Sequence, residues 1–267
     1  MPQQVISQEA VRATVEERLE EMLVFRDAFR GLDATNVNSD TIKVPDPDDV
    51  MAEPAAIAPT SEYPGTREEY TKVPIDREKY GEIIEVPEED VMDNVFDLVA
   101  DHVDLAARNM AEFLDGLAYQ ELSNNLASGS PVTDNANDDL TYDDVQEGVA
   151  TLEENSATPD MAFVGPRGKQ DILTYLAERG TDLTDEAVQT GSFGMIAGLD
   201  FMFSTVGDLT THNAILVDSD RFGYEATFTP IETEEEDDFD TDTQKFKIKT
   251  RKGFKAIKPE AAIEVEG

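Results

Sequence analysis

The chain has 267 residues, of which 39% are hydrophobic, so it can bury a substantial apolar core as one large or two small domains. Its 59 Asp and Glu residues against 21 Lys and Arg give a formal net charge of −38, spread along the chain. Such a charge disfavours nucleic-acid binding through a broad basic face and is typical of proteins adapted to high salt, which screens carboxylate repulsion. The absence of cysteine excludes disulfides, thiol catalysis and cysteine metal sites.

The N-terminal part predicts a helix followed by an irregular arm. Apolar residues recur at helical spacing from Ser7 to Phe29, and Gly31 is a typical stop. The segment from Leu32 to Gly65 is rich in proline and contains one short β-prone run, Thr41–Val44. A compact domain rarely tolerates so long an irregular connection, so we expect a linker or an arm that is ordered on a partner.

No targeting or membrane segment is predicted. Met1–Glu21 lacks the apolar core of a signal peptide. The longest apolar-rich run, Phe193–Phe203, is too short to span a bilayer and contains Asp200.

A hairpin and a long helix are predicted next. Two β-prone runs, Tyr70–Val73 and Glu82–Val86, flank a charged turn and are typical of a projecting two-stranded hairpin that Pro87 ends. From Glu88 to Leu126 the apolar period predicts one amphipathic helix of about 55 Å. Its apolar stripe comprises Val91, Val95, Leu98, His102, Leu105, Met110, Phe113, Leu117 and Leu122, and its solvated face carries Asp90, Asp93, Asp97, Asp101, Asp104, Glu112 and Asp115.

The second half predicts an α/β unit and returning strands. Helices are expected at Thr141–Asn155 and at Pro166–Arg179, where proline occupies the first turn. Strands are expected at Met161–Val164, Ile196–Ser204, Asn213–Val217, Phe222–Thr229 and Ala261–Val265, and in the alternating basic stretch Lys245–Lys258. The acidic run Glu232–Asp242 is expected to be solvated or to pair with that basic strand across a hairpin.

The sequence offers little for catalysis. The two histidines, His102 and His212, are far apart and show no nearby ligand cluster, which argues against a zinc site or a triad. We expect His102 to pack on the apolar stripe of the long helix. Gly191–Gly194 lacks the features of a nucleophile elbow, and no phosphate-binding glycine loop is present.

A calcium loop is also disfavoured. Asp218, Asp220 and Gly223 faintly resemble one, but Thr229 stands where a bidentate glutamate is required. Paired carboxylates carry no information among so many acids. We therefore assign no catalytic, cofactor-binding or metal-ligating residue, and we expect no enzyme.

The order of these elements resembles the major capsid protein of tailed viruses, the Hong Kong phage-type coat fold that encapsulin shells share. The resemblance spans Ile42–Val265. Four local stretches carry it: Pro159–Pro166, Ile196–Leu199, Asn213–Tyr224 and Pro259–Ala262. Asp200 stands where the family often has proline. With its charge, the sequence looks like the coat protein of a tailed virus that infects a halophilic archaeon.

The resemblance implies an α+β fold with an N-terminal arm, an extended β-hairpin (E-loop), a long spine helix in a peripheral domain (P-domain) and an α/β axial domain (A-domain). The implied divisions are residues 1–60 for the helix and arm, 61–87 for the E-loop, 88–137 for the spine helix, 138–220 for the axial domain and 221–267 for the return strands.

The resemblance also implies assembly in place of catalysis. Subunits would form pentamers and hexamers of an icosahedral shell around double-stranded DNA, contacted non-specifically, in a virion assembled in the host cytoplasm. Implied partners are portal, scaffolding, and decoration or minor capsid proteins, with no membrane and no cofactor. A separate scaffolding protein is expected because the segment before the hairpin is short. An encapsulin-like compartment and a halophilic enzyme or binding protein are also compatible with the sequence.

Some family members link subunits covalently through a hairpin lysine and an asparagine of the return strands. Lys72 and Lys79 could supply the amine, but no asparagine follows Asn213. We therefore predict no such isopeptide. Denaturing gel electrophoresis of particles should show the single-chain band, and a ladder of covalent multimers would contradict this.

Overall fold

The computed structural model describes residues 13, 15–17, 22–47, 57, 70–87, 98–130, 132–133, 139–179, 195–206, 209, 212–238 and 242–267. The helices are α1 Leu98–Asn124, α2 Tyr142–Glu154 and α3 Pro166–Arg179. The strands are β1 Phe29–Asp33, β2 Thr41–Pro47, β3 Tyr70–Asp76, β4 Glu78–Pro87, β5 Val132–Thr133, β6 Met161–Val164, β7 Met195–Ile196, β8 Leu199–Phe203, β9 Asn213–Val217, β10 Gly223–Asp238, β11 Thr243–Ala256 and β12 Ala262–Glu266.

The N-terminal helix ends earlier than predicted. Described residues up to Met22 are helical, but Phe25–Ala28 forms a 3-10 turn and the chain continues as β1, so Gly31 lies inside a strand. Aromatic packing explains the change. Phe25 is fully buried against Tyr119 and Phe163, which draws this segment out of the helix and into the core.

A four-stranded sheet of order β1-β10-β11-β4 forms one half of the molecule and combines strands from both ends of the chain. Strands β10 and β11 form a long antiparallel pair, β1 lies parallel to β10, and β4 lies antiparallel to β11. Side chains alternate along β4, so Ile84 and Val86 face inward and are buried. They pack with Phe246 and Ile248 of β11 against α1.

The predicted pairing of Tyr70–Val73 with Glu82–Val86 is wrong. Strand β4 pairs with β11, whereas β3 pairs antiparallel with β2, from Thr41 opposite Asp76 to Pro47 opposite Tyr70. The extended hairpin therefore consists of β2 and β3, and its first strand is the β-prone run noted within the arm. Pairing with β11 gives β4 a shared buried apolar face. The predicted pairing of β4 with β3 across a short charged turn would not provide such a face.

Helix α1 packs on the sheet through a face rich in small residues. The buried residues are Val103, Ala106, Ala107, Met110, Ala111, Leu114, Asp115, Ala118 and Leu122. The predicted stripe is confirmed at Met110 and Leu122, which are buried, and at half-buried Leu117, but it is wrong at His102, Leu105 and Phe113, which are exposed. Alanine allows the helix to approach the strands closely, and this close approach selects the buried face. Residues 88–97 of the predicted helix lie outside the described residues.

A six-stranded sheet of order β5-β12-β9-β6-β8-β7 forms the other half of the molecule, together with the helices α2 and α3 that contact it. The helix and strand predictions from Thr141 to Arg179 are confirmed, and Thr141 caps α2 reciprocally with Asp144. The predicted strand Ile196–Ser204 is instead a tight hairpin of β7 and β8. Ala197 and Gly198 make its turn with φ of 56° and 84°, as a two-residue hairpin requires.

Asp115 fixes the N-terminal segment to α1. The backbone N–H groups of Val24 and Phe25 donate to Asp115 Oδ1 at 2.9 and 2.7 Å. Its Oδ2 is buried and accepts no hydrogen bond from the described residues. Burial raises the pKa of Asp115 from 3.8 to about 6, against the effect of these backbone donors. The prediction of a solvated Asp115 is therefore wrong.

Because the folded chain binds the Asp115 proton more tightly than the unfolded chain, this group stabilises the fold below pH ~4 and loses that contribution as pH rises towards about 6. Asp115→Asn keeps an acceptor oxygen without a charge. We expect the variant's free energy of unfolding to decline about 2 kcal/mol less than the wild type's over this range. Denaturant titration at constant high salt measures it, with exposed Asp101→Asn as control. Equal pH slopes for wild type and Asp115→Asn would refute this role.

Candidate subunit-interface surfaces

The basic stretch of β11 is neutralised within its own sheet. Lys247 and Lys249 both donate to Glu234 of β10, at 2.7 and 2.5 Å, and hold the pKa of Glu234 at about 2. Lys245 pairs with Asp238 at 2.6 Å and with Glu85 of β4 at 3.3 Å. The predicted pairing of acidic and basic runs across a hairpin is confirmed for the described residues. The charges of these three lysines are therefore compensated within the sheet.

A buried ionic group joins the N-terminal segment to the same sheet. Glu225 of β10 is almost completely buried and accepts from Arg26 Nε at 2.6 Å and from Lys252 Nζ of β11. Removing either cation would leave a buried carboxylate poorly compensated. The sequence did not reveal this group because its members lie far apart along the chain and each belongs to a segment of ordinary charged composition.

An exposed stripe runs along α1 on the side away from the core. It consists of His102, Leu105, Asn109 and Phe113, whose spacing places them on one helical face, and we call it the spine stripe. Leu105 is 57% exposed and Phe113 is 51% exposed, although Phe113 makes an edge contact with Tyr80. Large apolar side chains left open on one face mark an interaction surface.

The β2–β3 hairpin is a second candidate surface. An isolated two-stranded sheet is marginally stable in water, and neither outer edge of this one pairs with a described strand. Its base is held by a small apolar cluster of buried residues: Ala34, Val44, Ile75, Ala226 and Phe228. The hairpin thus has an anchored base and open edges.

Polar contacts close the base of the hairpin. Arg77 pairs with Asp40 at 2.5 Å, and its N–H donates to the Asp40 carbonyl at 2.8 Å. Thr41 Oγ1 donates to Asp76 at 2.8 Å. Gly253 of β11 lies directly beneath the end of β3, where a Cβ would collide with the Asp76 backbone. The base is therefore fixed to the four-stranded sheet.

The histidines occupy positions that the sequence did not indicate. His102 is exposed, so its predicted packing role is wrong. His212 Nδ1 lies 2.5 Å from Asp171 Oδ2 and 3.9 Å from Asp139 Oδ1, so the expectation that it lacks neighbouring ligand groups is also wrong. Sequence spacing concealed the group because Asp171 belongs to α3 and Asp139 precedes α2.

The weak calcium pattern does not form a chelating loop. Asp218 is buried and accepts from the Thr158 backbone N–H at 2.8 Å, while Thr229 lies within β10 opposite Arg251. Gly191–Gly194 lies outside the described residues. Lys72 is exposed on β3, and Lys79 is exposed on β4 at the register position opposite Arg251 of β11. The isopeptide prediction stays a prediction. Among the described helices, none is long and apolar enough to cross a membrane.

An anchored hairpin with open edges, beside a long helix and two sheets, is the architecture expected of a shell-forming coat protein. A model of the phage capsid protein family matches residues 70–265, and the chain belongs to this family. A search of curated proteins found no significant match.

Solved structures of phage proteins and of an encapsulin are similar to this chain. Mycobacterium phage Che8 matches at 13% identity over 91% of this chain and 90% of the other, with a TM-score of 0.68. The capsid of cyanophage P-SCSP1u matches at 11% identity over 91% and 88%, with a TM-score of 0.70. The encapsulin complex of Synechococcus elongatus matches at 14% identity over 95% and 88%, with a TM-score of 0.64.

These results confirm the predicted α+β coat fold of tailed-virus major capsid proteins. The protein is a structural shell component of the virion, not an enzyme, and it associates with copies of itself.

Leu105→Glu tests the spine stripe. We expect the subunit's free energy of unfolding to change by less than about 0.5 kcal/mol, because Leu105 is exposed. Assembly should decrease severalfold, because the new charge would face a subunit interface. Light scattering at fixed subunit concentration measures it. Leu105→Met, which keeps the apolar surface, is the matched control, and normal shells from Leu105→Glu would exclude the stripe as a contact.

Proposed function

We propose that the chain is the major capsid protein of a tailed virus and forms pentamers and hexamers of an icosahedral shell around double-stranded DNA, assembled in the host cytoplasm. The observation that carries this proposal is the base-anchored β2–β3 hairpin with two open edges. Strand edges and apolar stripes are liabilities on a monomer, and a neighbouring subunit would cover them. Portal, scaffolding, and decoration or minor capsid proteins complete the proposed assembly.

We further propose that the two halves of the molecule, each built on one sheet, form different domains of the coat protein. Helix α1 and the four-stranded sheet would form the peripheral domain, and the six-stranded sheet with α2 and α3 would form the axial domain around the capsomer axis. In this arrangement the hairpin reaches over the spine stripe of an adjacent subunit. The exposed side chains of Leu105 and Phe113 support this contact.

Shortening the hairpin tests this contact. Because Pro47 and Tyr70 are opposite each other, an Asn-Gly turn can replace residues 48–69 and close the strands directly. We expect folded subunits that fail to form closed shells, as seen by circular dichroism and electron microscopy. A deletion of residues 67–86 would be unsuitable, because it would also remove most of β4 from the four-stranded sheet.

A matched variant separates the effect of the length of this connection from the effect of its side chains. It replaces residues 48–69 by a Gly/Ser segment with the same number of residues. Normal shells from the Asn-Gly variant would refute the proposal that the hairpin needs residues 48–69 to reach the adjacent subunit. If the Gly/Ser variant forms shells and the Asn-Gly variant does not, the length of residues 48–69 is sufficient for assembly and their side chains are not required.

We propose a high-salt environment for this shell, as in a virus of a halophilic archaeon. Each subunit carries a formal charge of −38, and Lys245, Lys247 and Lys249 of β11 are already paired within the sheet. At about 1 M salt the Debye length is about 3 Å, whereas at 0.01 M it is about 30 Å and whole subunit faces repel. Repulsion acts across every interface, so assembly should be lost before the fold is.

Stepwise dialysis of particles from molar KCl should therefore release subunits or DNA while circular dichroism stays unchanged. Light scattering and nuclease protection give the two measurements. Particles that stay intact at low salt without divalent cations would refute the role of charge repulsion. Protein cargo in place of nuclease-protected DNA would favour an encapsulin-like compartment.

A further inference from the structure

Three side chains of metal-ligating types meet beside the start of β9, an interior strand of the six-stranded sheet. His212 precedes β9, Asp171 lies in α3, and Asp139 stands two residues before Thr141, the residue that caps α2. One ligand atom from each lies within 4.8 Å of the others. Because the three come from separate segments, the tertiary fold itself brings them together.

The backbone around the group is held by further contacts. The Gly267 N–H donates to the His212 carbonyl at 3.0 Å, and the Leu140 N–H donates to Asp171 Oδ2 at 3.4 Å. The side chain of Asp171 is 9% exposed, whereas that of Asp139 is 69% exposed. One carboxylate is therefore fixed, and the other can rotate towards a ligand.

The distances bracket those of a tetrahedral zinc site. Bonds of about 2.0–2.1 Å to nitrogen and oxygen place neighbouring ligand atoms about 3.3 Å apart. His212 Nδ1 is 2.5 Å from Asp171 Oδ2, a hydrogen-bond distance, and 3.9 Å from Asp139 Oδ1. A metal ion that replaces the proton between His212 and Asp171 would need shifts below about 1 Å.

The imidazole decides the class of ion. Carboxylates alone suit Mg²⁺ and Ca²⁺, and this chain has many of them. An imidazole nitrogen instead suits Zn²⁺ and related transition metals. We propose that Asp139, Asp171 and His212 bind one zinc-like divalent ion, with water in the fourth position, and that the ion ties the start of α2 to α3 and β9.

Zinc titration of the full-length chain tests this proposal. The protein is stripped with chelator and titrated calorimetrically in molar KCl with millimolar Mg²⁺, which occupies diffuse carboxylate sites. We expect one Zn²⁺ per chain, and at least tenfold weaker binding in His212→Gln and Asp171→Asn. Asp139→Asn should weaken binding less, because this carboxylate is largely exposed.

The chain's other histidine supplies the matched control. His102 is exposed on α1, so His102→Gln should bind Zn²⁺ like the wild type. Visible absorption of bound Co²⁺ should likewise persist in His102→Gln and vanish in His212→Gln, and circular dichroism verifies that each variant is folded. Equal Zn²⁺ binding by wild type and His212→Gln, or displacement of Zn²⁺ by Mg²⁺, would leave an ion pair only and overturn the proposal.

Discussion

The packing of α1 against both halves of the molecule is the interaction on which the structure depends. Among the described elements, α1 contributes to two apolar clusters: Val103 to Leu114 pack with β4 and β11, whereas Ala118 and Leu122 join the core of the six-stranded sheet. Small side chains on its buried face permit close contact along this length. The helix therefore fixes the two sheets relative to each other.

This role of α1 explains why a carboxylate is buried on it. The N-terminal segment crosses the helix at Asp115 and ends its own helical path there, with its N–H groups directed at one carboxylate oxygen. Burial penalises the charge, and the donated hydrogen bonds offset only part of that penalty, as the raised pKa of Asp115 shows. The contact secures Phe25 in the aromatic core at the expense of some stability near neutral pH.

Charged side chains have different roles inside the subunit and on its surface. Lys245, Lys247, Lys249 and Lys252 pair within the four-stranded sheet, so these scarce cations maintain the subunit itself. The remaining excess of acids is left to solvent and to neighbouring subunits. In the proposed arrangement, apolar contacts on the spine stripe and hydrogen bonds along the hairpin edges would drive association against like-charge repulsion. Such a balance would make assembly of the proposed shell more sensitive to salt than the fold of each subunit.

The sequence determined the elements whose signals are local. Thr141 and Asp144 form the capping box that begins α2, Pro166 begins α3, and the alternation of Lys247 and Lys249 reveals β11. Periodicity and caps act through neighbours along the chain, so they survive without knowledge of the fold. The order of such elements also sufficed to identify the coat family, although no catalytic residue marked it.

Only the tertiary structure decided which elements meet. Strands β3 and β4 are adjacent in sequence, yet each pairs with a distant strand, because cross-strand packing and burial outweigh a short connection. The face of α1 that is buried is the one whose alanines allow close approach to the strands, and not the one with the largest apolar side chains. Leu105 and Phe113 are therefore left exposed. The meeting of Asp171 with His212 likewise arises from contacts between segments remote in the chain, which no local pattern records.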